Sequence, residues 1–415
     1  MTAAGPAAVR VGVFGLLGSG NLGNDGSLEA VLGHLRAAHP EAVVDALCGG
    51  PEAVTARFRI PATRLHWYGG EYRTASRAGA VAGKGLGKLV DVVRTAAWVR
   101  RHDVVIVPGM GVLEATLPLR PWGFPYALFL LCASGRLLRT PVALVGVGAD
   151  AITDRPTRAL VRWSARLAAH RSYRDVLSRD AMRAMGVDTA RDAVHPDLAF
   201  ALPARHPGTP AERPGTVCVG VMDFRGGNDD RARAREIHRR YLDGTTRFVR
   251  ALAEDGRRVR LLTGDEADRP VVAAILRAVD SPLVTAAEAA SLADLLEETA
   301  AADAVVATRY HNLVCALKAG TPTLALSYAA KSDALMDRMG LGGFCHPARE
   351  VDPDRLLEQF RALEKRSAEV RRLLGERNLE AARQLRDHLT ALSAALFPAA
   401  DDAAPAHDHA LREAP

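Results

Sequence analysis

The chain reads as an α/β protein of two parallel-sheet domains, and three features lead there. Short, almost wholly apolar segments alternate with helical patterns over residues 9–147 and again over 217–327, as sheets buried on both faces require. Residues 201–216, between the two series, hold four prolines and no apolar period, which marks a linker. At 415 residues the chain is also too long for one compact core.

In chain order, residues 9–17 read as a strand and 27–38 as a helix, with Leu28, Val31, Leu32 and Leu35 on one face. Further strands are expected at 42–48, 103–107 and 141–147, completing a first domain over residues 1–200. After the linker, strands at 217–222, 258–262, 304–307 and 323–327 belong to a second domain over 217–397, whose last residues, 354–397, are helical and charged. Residues 398–415 are rich in Ala, Asp and Pro and read as a disordered tail; His407 and His409 there read as solvated rather than as metal ligands. Two such domains place a binding site in the cleft between the carboxyl ends of their strands.

Composition excludes several classes. Hydrophobic residues at 48% and charged residues at 25% rule out a wholly disordered or coiled-coil chain. The longest charge-free stretch, 121–135, is shorter than the about 20 residues of a membrane-spanning helix. The N-terminal residues carry no export signal, and the five cysteines form no CxxC pair, so neither a disulfide framework nor a zinc site is expected. A cytoplasmic location follows as the expectation. The formal charge of +6 suits anionic substrates or an anionic membrane surface.

A glycine-rich turn, GLLGSGNLGNDG, follows the first strand and contains GxGxxG at Gly18, Gly20 and Gly23. A dinucleotide site, a substrate-binding loop and a purely structural turn are all consistent with it. Asp45 lies at about the expected distance for a ribose-binding acid, but inside the apolar run of its strand rather than at its end. Asn21, Asn24 and Asp25 look placed to bind substrate or to cap the helix. Residues 83–88, GKGLGK, do not fit a P-loop. From Arg73 to Arg101 seven cations, among them Lys84, Lys88 and Arg94, face only Asp91, while Leu86, Leu89, Val90, Val93, Ala97 and Trp98 recur at helical spacing. A basic amphipathic helix on anionic lipid and a solvated face over an ordinary core stripe both account for this. Nothing there indicates nucleic acid.

The most informative stretch is residues 302–336, which reads strand, turn, helix, glycine stop, then strand, turn and helix again. Arg309 and His311 fall at a helix N-terminus beyond the carboxyl end of a strand, where free N–H groups and the helix dipole favour an anion. A guanidinium can fork onto a carboxylate or phosphate, and an imidazole can move a proton near neutral pH. Lys331 holds the equivalent place after the next strand. The alternative is that Arg309 merely pairs with a carboxylate and His311 caps the helix.

These residues carry a resemblance to the polysaccharide pyruvyl transferase family over most of residues 11–340. Its opening block is matched by Gly20, Asn21, Gly23, Asn24 and Asp25, and its strand running into a glycine cluster by VVIVPGMG, residues 104–111. Its Arg-Asp block is matched by Arg174, Asp175 and Ser178, followed by Pro196 and Asp197. The closing and most specific block is matched by Arg309, His311, Ala316, Gly320, Pro322, Tyr328 and Lys331. Pro108 and Met110 interrupt the usual glycine run, and Gly26 stands where Glu is common.

The resemblance implies two Rossmann-like domains facing a cleft, as in GT-B glycosyltransferases. It also implies transfer of pyruvate from phosphoenolpyruvate to a sugar of a cell-surface glycan or its lipid-linked precursor, commonly as a ketal. Phosphoenolpyruvate is then a co-substrate, and neither a metal nor another cofactor is expected. His311 becomes the candidate general acid, with Arg309, Arg174 and Lys331 holding the donor's charges and Tyr328 in its pocket. Gly20, Asn21, Asn24 and Asp25 would meet the acceptor, and contact with the inner face of the membrane is the matching expectation for location. A nucleotide-sugar glycosyltransferase, an NAD-dependent oxidoreductase and a non-catalytic glycan-binding protein are the rival readings.

Overall fold

A computed structural model describes residues 8–67, 77–114, 121–203 and 214–397, with side chains left out at 77–84, 228 and 229. The central part of the expected linker, the tail with His407 and His409, and the side chains of Arg73, Arg77 and Lys84 lie outside the described residues.

The first sheet contains β1 (Arg10–Gly15), β2 (Val43–Cys48), β3 (Ala62–Arg64), β4 (Val104–Pro108), β5 (Val142–Val147), β6 (His170–Tyr173) and β7 (Ala193–Val194). Its helices are α1 (Leu22–Ala38), α2 (Pro51–Phe58), α3 (Arg77–Val99), α4 (Phe124–Leu138), α5 (Arg155–Leu167) and α6 (Val176–Ala184). The second sheet contains β8 (Thr216–Gly220), β9 (Arg258–Leu262), β10 (Val284–Ala286), β11 (Ala304–Ala307), β12 (Thr323–Ser327) and β13 (Cys345–Pro347). With it go α7 (Ala234–Glu254), α8 (Arg269–Val279), α9 (Leu292–Ala300), α10 (Tyr310–Lys318), α11 (Ala330–Arg338), α12 (Pro353–Lys365) and α13 (Ser367–Leu396).

Every strand pair is parallel. The orders are β3-β2-β1-β4-β5-β6-β7 and β10-β9-β8-β11-β12-β13, so each sheet reverses direction once, between β1 and β4 and between β8 and β11. That doubly wound order opens a crevice at each reversal, beyond the carboxyl ends of the strands. Central strands β4, β5, β8 and β11 are buried at every residue, which is why they lack the alternation of a half-exposed strand.

Three local readings change. The first helix begins at Leu22, five residues before the expected start, so the second half of the glycine-rich segment is helical. Asn21 makes this start possible by accepting from the N–H groups of Gly23 and Asn24. The glycines are tolerated because other residues occupy the space of their missing side chains. A Cβ at Gly23 would collide with the ring of His311, and one at Gly26 with Leu292 of α9.

The helical region expected at 354–397 divides at Arg366 into α12 and α13. The long α13 then packs on both domains. Asn378 donates to the carbonyls of Leu317 and Lys318, whereas farther along His388 meets Ser172 and Ser393 meets His34. Finally, the apolar positions of α3 separate onto two faces: Trp98 is buried, but Leu86, Leu89 and Val93 are 57%, 67% and 69% exposed.

Candidate active site

A cavity of about 600 Å³ lies between the two sheets, within the range of small-molecule sites, roughly 300–1,000 Å³. Its wall is built from segments that leave carboxyl ends of strands. The first domain supplies Leu16 after β1, Met110 after β4, Asp150 after β5 and Arg174 after β6. Opposite them stand Phe224 after β8, Gly264 after β9, Arg309 after β11 and Tyr328 after β12.

On the second-domain wall, Arg309 is the N-cap residue of α10, and no side chain caps that helix. Its Nε and Nη2 donate to the two carboxylate oxygens of Asp268, at 2.8 and 2.7 Å. Asp268 is fully buried and also accepts from the N–H of Asp223. The carboxylate-pairing alternative for Arg309 is therefore realised, yet a guanidinium has five N–H groups and only two are used here. Asp268 fixes the orientation of the side chain and leaves its outer edge to the cavity. Burial opposes the charge of Arg309, but Asp268 more than compensates and raises its pKa.

His311 lies in the first turn of α10, against Gly23 of the first domain. Its Nε2 is buried and has no hydrogen-bond partner. Burial brings its pKa down to about 4, so the ring is neutral at pH 7.

Lys331 in the first turn of α11 reaches across the cleft, with its Nζ 2.8 Å from Oε2 of Glu114. Arg174 donates to the other oxygen of Glu114 at 2.5 Å, so one carboxylate joins a cation from each domain. Burial by itself would raise the Glu114 pKa; Arg174 and Lys331 overcome it and hold it at about 2. Arg174 is 4% exposed, lies 3.5 Å from Asp197 and stacks its guanidinium over Tyr310 at 4.6 Å. It touches the cavity, and within the protein its charge is already matched by Glu114 and Asp197. Glycines make room for this cluster, since a Cβ at Gly111 or Gly148 would strike Glu114. Met110 adopts φ 62°, where glycine is free and another residue pays about 1–2 kcal/mol; its buried side chain offsets this by filling the space beside Gly15.

The glycine-rich segment behaves differently from its reading as a set of ligand contacts. Asn21 and Asn24 line the cavity, but Asn21 caps α1 and Asn24 donates to the Leu16 carbonyl. Asn21 also reaches the other domain, bridging to Asp265 while Leu22 N–H approaches the Gly264 carbonyl. Asp25 is 8% exposed and accepts from the N–H of Gly18 beneath the turn, so it does not face an acceptor. Gly20, at φ 88°, serves the turn and is not part of the cavity wall. Asp45 sits within β2, bonded to Trp98 Nε1 and His102, and is not available to a cofactor ribose.

Three wall carboxylates went unnoticed in the sequence, Glu114, Asp150 and Asp265. All follow strands that end in glycine-containing turns, PGMGVLE, GVGAD and TGD, and that placement is the signal for them. Among the described residues no cluster of His, Cys, Asp and Glu suits a metal ion, and no helix is long and apolar enough to cross a membrane.

Similar folds occur in solved structures with little sequence likeness. An S. aureus MnaA–UDP structure aligns at TM-score 0.59 and 10% identity, over 94% of this chain and 97% of that one. The UDP-GlcNAc 2-epimerase of Neisseria meningitidis, bound to UDP-GlcNAc, aligns at 0.57 and 10%, over 92% and 99%. The lipopolysaccharide outer core galactosyltransferase WaaB in its apo form aligns at 0.54 and 12%, over 94% and 99%. They establish a GT-B-like fold of two Rossmann-like domains. No curated protein matches the sequence. The profile of the polysaccharide pyruvyl transferase family, by contrast, matches residues 21–329, most of the chain, and the protein belongs to that family.

Proposed function

We propose that the protein transfers pyruvate from phosphoenolpyruvate to a sugar of a cell-surface glycan or of its lipid-linked precursor, forming a ketal on two hydroxyls. The observation that carries this reading is the uncapped N-terminus of α10, with Arg309 oriented and His311 unpartnered, together with Lys331 at the start of α11 in the same domain. The free N–H groups, the outer edge of Arg309 and Lys331 suit the donor's phosphate and carboxylate. A bound dianion beside His311 raises the ring's pKa and draws a proton onto it. That proton then goes to the enol CH2, making C2 electrophilic toward a sugar hydroxyl as phosphate leaves. Arg174 acts through Glu114, which it holds ionised to orient Lys331.

Peripheral membrane contact fits the exposed apolar row Leu86, Leu89 and Val93 on α3, with Trp67 and Trp122 also exposed, at 52% and 64%. Lys88 and Arg94 lean toward the buried Asp91, each at 3.8 Å, so two of the segment's cations are partly matched by one acid. Co-sedimentation with anionic vesicles, reduced by Leu89→Asp, is the expected outcome; equal pelleting of both proteins counts against membrane contact.

A nucleotide-sugar glycosyltransferase is the second reading, supported by the UDP and UDP-GlcNAc bound in two of the structural neighbours. Thermal-shift measurements with phosphoenolpyruvate and UDP separate the two, because a ligand of the folded state raises its stability. Stabilisation by phosphoenolpyruvate, together with phosphate release in the presence of sugars, is expected. Stabilisation by UDP alone would overturn pyruvyl transfer.

A further inference from the structure

Among the described residues three carboxylates line the cavity, and one of them is uncommitted. Glu114 is shared by Arg174 and Lys331, and Asp265 accepts from Asn21 and from the N–H of Ala267. Asp150 lines the same cavity, and among the described residues no hydrogen bond or ion pair engages its carboxylate. Its backbone is well fixed. Asp150 N–H donates to the Leu113 carbonyl, Leu113 N–H to the Gly148 carbonyl, and Ala149 N–H to Ser178 Oγ. The turn after β5 is thereby pinned to the turn after β4, and the carboxylate is presented from the first-domain wall, opposite Arg309.

We propose that Asp150 is the general base that accepts the proton of the acceptor hydroxyl. This role rests on the pyruvyl-transfer reading and assigns its missing partner to His311. The C2=C3 π pair takes a proton from the His311 imidazolium, and C3 becomes a methyl group. The hydroxyl oxygen bonds to C2, its proton passes to Asp150, and the C2–O bond to phosphorus-bearing oxygen breaks with its electron pair leaving on phosphate. The second hydroxyl closes the ketal, and its proton leaves on hydrogen phosphate. The proton held by Asp150 restores His311 through solvent, so two hydroxyl protons end on the methyl group and on phosphate.

Environment separates the two neighbouring acids in the way this division needs. Glu114, between two cations, is too weak a base at a pKa of about 2. Asp150 is raised, first by burial and then by the charge of Glu114. The other charged groups facing it are Lys331 from α11 and Arg174 after β6, which oppose the rise, and Asp175 at the start of α6, which adds to it. A raised carboxylate is the better base near neutral pH.

The test compares wild type with Asp150→Asn and Asp150→Glu, using phosphoenolpyruvate and a panel of methyl hexopyranosides with adjacent or 4,6-hydroxyl pairs. Asp150→Asn should lower kcat by about 100-fold or more and remove the acid limb of the pH–rate profile. Calorimetric titration should show it binding phosphoenolpyruvate at least as tightly, because one negative charge has left the cleft. Asp150→Glu should recover part of the rate. Near-normal turnover in Asp150→Asn, or donor affinity lost in step with kcat, overturns the role alone. A wild type that neither binds phosphoenolpyruvate nor releases phosphate overturns the parent reading and this role with it.

Discussion

Of the helices that begin at the cleft, α1 after β1 and α10 after β11 each start beside the reversal point of their sheet. The first carries the glycine-rich segment that sequence convention associates with phosphate, yet its N-terminus is already satisfied. Asn21 accepts from two of its N–H groups and Asp25 adds a buried carboxylate in the first turn. The second carries no glycine at its start, has no side-chain cap and no acid in its first turn, and is led by a cation. Glycine at α1 makes a close packing surface for His311 and Leu292, whereas α10 keeps its N–H groups and dipole for an anion. The difference teaches that glycine spacing reports how closely backbones approach. What a helix N-terminus can bind depends on whether its own chain has already capped it.

Substitutions can break this contrast. The largest effect is expected at α10. His311→Ala should lower phosphate release on the order of 10²–10⁴-fold while donor binding, read by calorimetry, persists. Arg309→Ala should lose both donor binding and rate, and it leaves Asp268 buried without its cation. Breaking such a pair costs about 3–5 kcal/mol, so its Tm should fall as well.

An intermediate effect is expected at Glu114, which ties the two domains. Its pKa is depressed from 4.5 to about 2 in the folded protein. The corresponding stability is present above pH 4.5 and is lost as pH falls through about 2. Glu114→Gln should destabilise at neutral pH and flatten this acid window in urea midpoints measured against pH. An unchanged slope over that window would remove Glu114 from the account.

At α1 the expected effects are structural and smaller. Gly23→Ala drives a methyl group into the His311 ring and should cost about 1–3 kcal/mol, with a drop in kcat because the ring must move. Asn21→Ala removes a cap and should cost about 1 kcal/mol in urea unfolding, with donor affinity kept.

Much of this was legible because burial leaves a strong signature. The central strands are apolar without interruption, and Arg309, His311 and Lys331 stand where strand-to-helix turns put polar residues at a cleft. Edge strands were not legible: β3, β7, β10 and β13 have two or three residues each, too few for any pattern. The start of α1 was hidden because glycine and asparagine are poor helix formers; the Asn21 cap, the Asn24 bond to the Leu16 carbonyl and the packing of Gly23 and Gly26 against the other domain explain their place there. The surroundings of Arg174 were hidden for the opposite reason. A cation in a family block says nothing of the acids that fold around it, and Glu114 arrives from 60 residues away. Likewise, the charge balance of α3 could be counted in sequence, but not the approach of Lys88 and Arg94 to one buried acid.

The central claim is that the anionic donor binds at the start of α10 and not in the glycine-rich start of α1. Calorimetric titration of phosphoenolpyruvate into wild type, Arg309→Ala and Asn21→Ala tests it most directly. Saturable binding to wild type and to Asn21→Ala, with none to Arg309→Ala, is the predicted result. Binding that survives in Arg309→Ala and disappears in Asn21→Ala, or no binding to wild type, would contradict it.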